Sequence, residues 1–206
     1  MNDISYKILP EELLTLINKG ELDWHGGAFI TSFECLEEQK ATLGIHLLLD
    51  KSKKKEQNWR VHIEGLVCER IQREWSGDNI LVYDQHFLIE EQQGARTELY
   101  IKNAPDNPHK FLADLYHHFS KKFEDYLLFE HYLNQELSLK ALLKMPFGLF
   151  AKGPQFILEE IQYILETNGV ITYFQGKHQI FLKELLLLSI GGSYFVAESF
   201  YFDRIS

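Results

Sequence analysis

The sequence predicts an α+β fold of antiparallel β-meanders with about three packed helices, in the order α-β4/5-α-α-β3. Three features of the chain predict it. Apolar residues recur at helical spacing in separate segments, two of them led by a proline and stopped by a glycine. Alternation of period two fills the stretches between them. Short Gly-, Asn- and Asp-rich turns join the strands, and helices stand at the ends of strand runs, which is α+β order rather than βαβ.

The first helix is "LPEELLTLINKGE" (9–21), with Pro10 in its first turn, Leu13, Leu14 and Ile17 as its stripe and Gly20 as its stop. A "DWHGG" turn leads into strands "AFITSFECLE" and "ATLGIHLLLDK", and the lysine run "KSKKKE" (51–56) reads as a solvated hairpin tip. In "WRVHIEGLVCERIQREW" (59–75), Trp59, Val61, Ile63, Val67, Ile71 and Trp75 share one parity. Seventeen residues is long for one strand, so a bulge or bend is expected at Gly65. "ILVYDQHFLIEE" (80–91) and "RTELYIK" (96–102) read as the next strands.

The best helix is 109–134, where Phe111, Leu115, Phe119 and Phe123 are spaced by four. A Pro- and Gly-containing stretch follows, then a helix at 154–169 that repeats the grammar of the first. Strands "VITYFQ", "QIFLKELLLLSI" and "SYFVAESFYFD" finish the chain, joined by "GKH" and "GG". The chain is read either as one domain, 1–206, or as subdomains 1–134 and 154–206 joined by the linker 135–153.

Composition narrows function. With 45% hydrophobic and 25% charged residues, the 206-residue chain can bury a sizeable core. Net charge is −9, and no basic stripe accompanies the lysine run, which argues against nucleic acid. The longest apolar run, "ELLLLSIGG" (184–192), is far short of the ~20 residues of a membrane helix. No export signal is legible in "MNDISYKILPEELL", so a cytoplasmic location is expected, with Cys35 and Cys68 as reduced thiols.

Named catalytic templates fail one by one. His25-Gly26-Gly27 has the form of a hydrolase oxyanion loop, but no G-x-S-x-G elbow follows, and Ser193 in "SIGGSYF" sits in a strand. Asp114 with His117 or His118 lacks any metal-motif companion, so no metal or cofactor is expected. "FGLFAKGPQ" (147–155) has the wrong order for a phosphate loop, and Pro154 removes an N–H that an anion would use. The aromatic strand 193–203 lacks the basic companions that base stacking needs.

One polar row remains. Arg60, His62 and Glu64 share a strand face, and His86 and Glu90 share parity on the next strand. Such a row is either a wet sheet face or the lining of a cleft suited to acid/base work. The leading expectation is a non-catalytic, acidic binding or regulatory protein of bacterial type that engages a protein partner. The alternative is a small-molecule binder or enzyme whose polar cleft is lined by the 60–64 and 86–90 faces. Oligomeric state is left open.

Overall fold

Helices and strands are cut finer than the sequence pattern implies. The computed structural model describes residues 2–22, 27–36, 39–50, 55–72, 79–124, 126–178 and 183–206. In chain order the elements are β1 (Asn2–Asp3), α1 (Ser5–Ile8), α2 (Glu11–Asn18), β2 (Ala28–Cys35), β3 (Ala41–Asp50), β4 (Lys55–Glu64) and β5 (Cys68–Arg70). Then come β6 (Ile80–Gln85), α3 (Phe87–Gln93), β7 (Arg96–Ile101), α4 (Pro108–Phe123), a 3-10 turn at Phe129–His131, and α5 (Leu139–Leu142). The chain ends with β8 (Gly148–Pro154), α6 (Gln155–Thr167), β9 (Thr172–His178), β10 (Leu186–Ile190), β11 (Ser193–Ala197) and β12 (Ser199–Arg204).

Among the described residues every strand pairing is antiparallel, in keeping with the α+β class. Six α-helices stand among the described residues where about three were expected. The Trp24-His25-Gly26 turn and the lysines at 51, 53 and 54 lie outside the described residues. The chain forms two compact units, Met1–Ile89 with Lys183–Ser206, and Glu90–Leu182.

The first unit holds two sheets, ordered β1-β6-β10-β11-β5 and β12-β4-β3-β2. Their apolar parities meet in one core: Leu43, Val61 and Ile63 from one sheet, Ile80, Val82 and Phe195 from the other. Phe33 and Phe195 bridge the layers with ring centroids 5.5 Å apart. Two neighbouring segments cross between the sheets. β4 passes to β5 at Gly65, and β11 passes to β12 at Glu198, with Glu198 N–H donating to Glu64 O at 3.0 Å and Val67 N–H to Val196 O at 2.9 Å. The bend expected at Gly65 is therefore a change of sheet rather than a bulge within one strand. It breaks the parity, so Val67, grouped with the core by alternation, is exposed.

The strand read at 80–91 stops at Gln85. His86 Nδ1 accepts the Leu88 N–H at 3.1 Å, an N-terminal cap, and the Glu/Gln-rich run behind it continues as α3. The expected strand 193–203 is likewise divided at Glu198, while Gly191-Gly192 forms the two-residue turn from β10 to β11. "GKH" is not a turn: Gly176 to His178 belong to β9.

The second unit packs α4 and α6 against the sheet β8-β7-β9. Asn107 caps α4 by accepting the Lys110 N–H at 3.1 Å, and Pro108 follows it. The Phe111, Leu115, Phe119, Phe123 stripe is buried as the spacing predicts. α4 ends at Phe123 rather than 134, because the chain folds back and sets Phe129 edge-on to Phe119, centroids 5.9 Å apart. Segment 135–153, the linker of the sequence reading, lies inside this unit and supplies α5 and most of β8. Of its Pro and Gly residues, Pro146 precedes β8, while Gly148 opens that strand and Gly153 lies within it.

The crossing at Gly65 makes a quantitative demand. A Cβ there would lie 2.8 Å from Glu198 Cβ, and φ is +65°, whereas Gly20 has φ +64° with nothing within 4 Å. Both alanine substitutions carry the left-handed backbone penalty of about 1–2 kcal/mol, but only Gly65→Ala adds overlap. Urea unfolding should show Gly65→Ala as clearly the less stable of the two; equal losses would contradict the packed crossing.

Candidate functional site

Arg60, His62 and Glu64 stand on β4 opposite to the buried Trp59, Val61 and Ile63. Arg60 and Glu64 are exposed, and His62 Nε2 pairs with Asp203 of β12 at 3.1 Å, both side chains well exposed. This is the wet face of the sheet. His86 lies beyond β6 in the other sheet, half-buried, with burial holding its imidazole down at about 4. Neutral at ordinary pH, it serves α3 as an acceptor. Glu90 is exposed on α3. The structure thus keeps the 60–64 row apart from His86 and Glu90, and none of the five lines the clefts described next.

Other singled-out groups have structural duties. Ser193 is buried and accepts the Gln72 N–H at 2.9 Å. Asp114 takes Lys110 at 2.6 Å and Asn168 at 3.0 Å, while His118 turns to Glu160 at 2.6 Å. Burial pushes the Glu160 carboxyl up, but hydrogen bonds from Lys122 and His118 outweigh it and hold the group below the usual carboxylate range. No group of three or more metal-ligating side chains occurs among the described residues.

One cleft does combine concavity with a perturbed carboxylate. It lies in the second unit, encloses about 380 Å³, and is lined by Glu91, Arg96, Thr97, Glu98, His131, Tyr132, Lys152, Gly153 and His178. A second, along α2, is a shallow strip of Glu11, Glu12, Lys19 and Glu21 open to solvent.

Each wall of the Glu91 cleft has a local cause. β7 is the central strand, with Arg96 opposite His178 of β9, and Glu98 opposite Lys152 of β8. Register slips between Thr97 and Glu98, where Gly176 takes φ +70° as the extra residue and the Thr97 hydroxyl donates to the Gln175 and Gly176 carbonyls. Such bulges re-aim the side chains beside them. The segment after the 3-10 turn runs along β8: Lys152 N–H donates to Tyr132 O and Asn134 N–H to Phe150 O, both at 2.8 Å. This lays the Tyr132 ring on Gly153, where a Cβ would come within 2.8 Å of the ring.

Glu91 sits in the last turn of α3, an end where helix carbonyls already concentrate negative charge. Burial pushes its carboxyl above the ordinary range, against the opposing pull of Arg96, the Tyr132 hydroxyl at 3.5 Å and His131. Gln92 also donates to it. Glu98 accepts the Tyr100 hydroxyl at 2.9 Å. Arg96, His131, Lys152 and His178 are exposed, and among the described residues none is held in an ion pair. The arrangement can bind a charged small molecule, and Glu91 can take up or release a proton as it does so.

Comparison with protein-family models, with curated proteins and with solved structures returns no match. The site therefore stands on its geometry.

Sequence reading missed these residues because five separate segments supply them. In sequence, Lys152 and Gly153 read only as a failed phosphate loop, His131 and Tyr132 as part of a helix, and Glu91 as a strand end. The usable signal was the glycine pair: Gly153 and Gly176 inside strands mark a close approach and a bulge.

Because folded Glu91 binds its proton more readily than the unfolded chain does, its contribution to stability falls as pH rises from the ordinary carboxylate value toward the folded one. Glu91→Gln removes that loss while keeping the shape. The variant should melt above the wild type at about pH 8, with the gain disappearing near pH ~4, where an ordinary carboxylate is protonated. A variant that melts lower at both pH values would contradict the description of Glu91.

Proposed function

We propose that this is a non-catalytic binding protein whose ligand seat is the Glu91–Arg96 cleft of the second unit. The observation that supports the reading is a half-buried carboxylate, pushed up by burial, in a cleft shared with Arg96, Lys152, His131 and His178, none of which is in an ion pair among the described residues. Groups held this way are unfavourable for folding and favourable for recognition, since a protein optimised for stability alone would pair or remove them. The cleft volume falls at the small end of the range for small-molecule sites, about 300–1,000 Å³.

The protein-partner reading rests on acidic charge and exposed apolar side chains such as Phe147, Tyr116 and Tyr201. Single exposed apolar residues are normal on any surface. They add no weight to a partner.

A thermal-shift screen of polar metabolites tests the proposal. A ligand at 100 times its Kd stabilises the folded state by about 2.7 kcal/mol, enough to read as a shift in Tm. Compounds that raise Tm should lose the effect in Lys152→Ala and His178→Ala, both solvent-facing positions whose truncation leaves the core intact. Hits that act equally on the variants, or a library without hits, would count against the cleft.

A further inference from the structure

We propose that the ligand of this cleft carries an oxyanion, a carboxylate or phosphate group, held by Arg96 and Lys152 with His178 beside them. The inference rests on the cleft being a binding site and goes further by assigning the chemistry. It follows from which hydrogen-bonding capacity is already used. Both acidic side chains have neutral donors from within the protein: Glu91 receives Tyr132 and Gln92, and Glu98 receives Tyr100 at 2.9 Å. The cations have no such partners. Arg96 carries five N–H donors in a planar fork and Lys152 three around a point charge, and among the described residues neither is in an ion pair.

Register places the two cations together. Arg96 and Glu98 alternate along β7, Lys152 is directly across from Glu98, and His178 is directly across from Arg96. Lys152 is thus a diagonal neighbour of Arg96, roughly 7–8 Å away between backbones, a separation that two long side chains close around one anion. An ammonium ligand would instead have to share carboxylates that already accept from Tyr132, Gln92 and Tyr100, and would meet Arg96 and Lys152 as like charges. Two strong cations on a small concave site also fit a metabolite better than a nucleic acid, which needs an extended basic track.

The test is a chemical-shift titration of the ¹⁵N-labelled full chain with inorganic phosphate, citrate and putrescine in separate arms. Phosphate or citrate should move the amides of Glu91, Arg96–Glu98, Tyr132 and Lys152–Gly153, and the more effective of the two tells phosphate from carboxylate recognition. In Arg96→Gln the apparent Kd should rise at least about tenfold, as expected for loss of a charge-assisted contact, while the unperturbed spectrum confirms that the variant is folded. Putrescine moving these signals while the anions do not would overturn the oxyanion assignment and leave the cleft as a binding site. Anions that move only the 51–55 lysine run would overturn it as well. No movement at the cleft with any probe, together with no hit in the metabolite screen, would overturn both proposals.

Discussion

A tyrosine ring can close onto the backbone of a β-strand only where the strand has no side chain in the way. Tyr132 on Gly153 is that contact in the second unit, and the candidate site depends on it. A Cβ at Gly153 would stand 2.8 Å from the ring, so the glycine lets residues 132–134 run along β8 at hydrogen-bonding distance. The same placement brings the Tyr132 hydroxyl and His131 toward Glu91. Buried apolar packing fixes the frame behind them: the α4 stripe meets Phe150 of β8 through Phe111, with ring centroids 5.9 Å apart and nearly perpendicular.

The first unit shows how polar and apolar parities are kept apart when strands are long. β4 and β12 present Trp59, Val61, Ile63 and Phe200 to the core and Arg60, His62 and Tyr201 to water. Polar pairs such as His62–Asp203 sit on that wet face, where their contribution is a few tenths of a kcal/mol to about 1 kcal/mol. Where the two segments leave one sheet for the other, Gly65 and Glu198 absorb the turn, and Lys183 pairs with Glu198.

Most of the fold class and much of the core were legible because periodicity is a local signal. The spacing of Phe111, Leu115, Phe119 and Phe123 located a buried helix face, and the alternation of Trp59, Val61 and Ile63 located a buried strand face. Element limits were less legible where tertiary contacts decide them. His86 turns a strand into a helix by capping it, and Phe129 pulls the chain off the axis of α4. The stretch 135–153 looked like a linker because Pro and Gly signal a break without saying whether the chain on either side packs into one body. The cleft was not legible at all. Its carboxylate, cations and tyrosine come from distant segments, and only strand register sets them side by side.

Glu91 is held in a site that disfavours its charge, beside cations that, among the described residues, no ion pair holds. Direct titration of the Glu91 side-chain carboxyl by ¹³C NMR tests this. Its pKa should lie above the ordinary glutamate value of about 4.3, and higher still when an oxyanion occupies the cleft. A value at or below the ordinary one, unchanged by added phosphate or citrate, would contradict it.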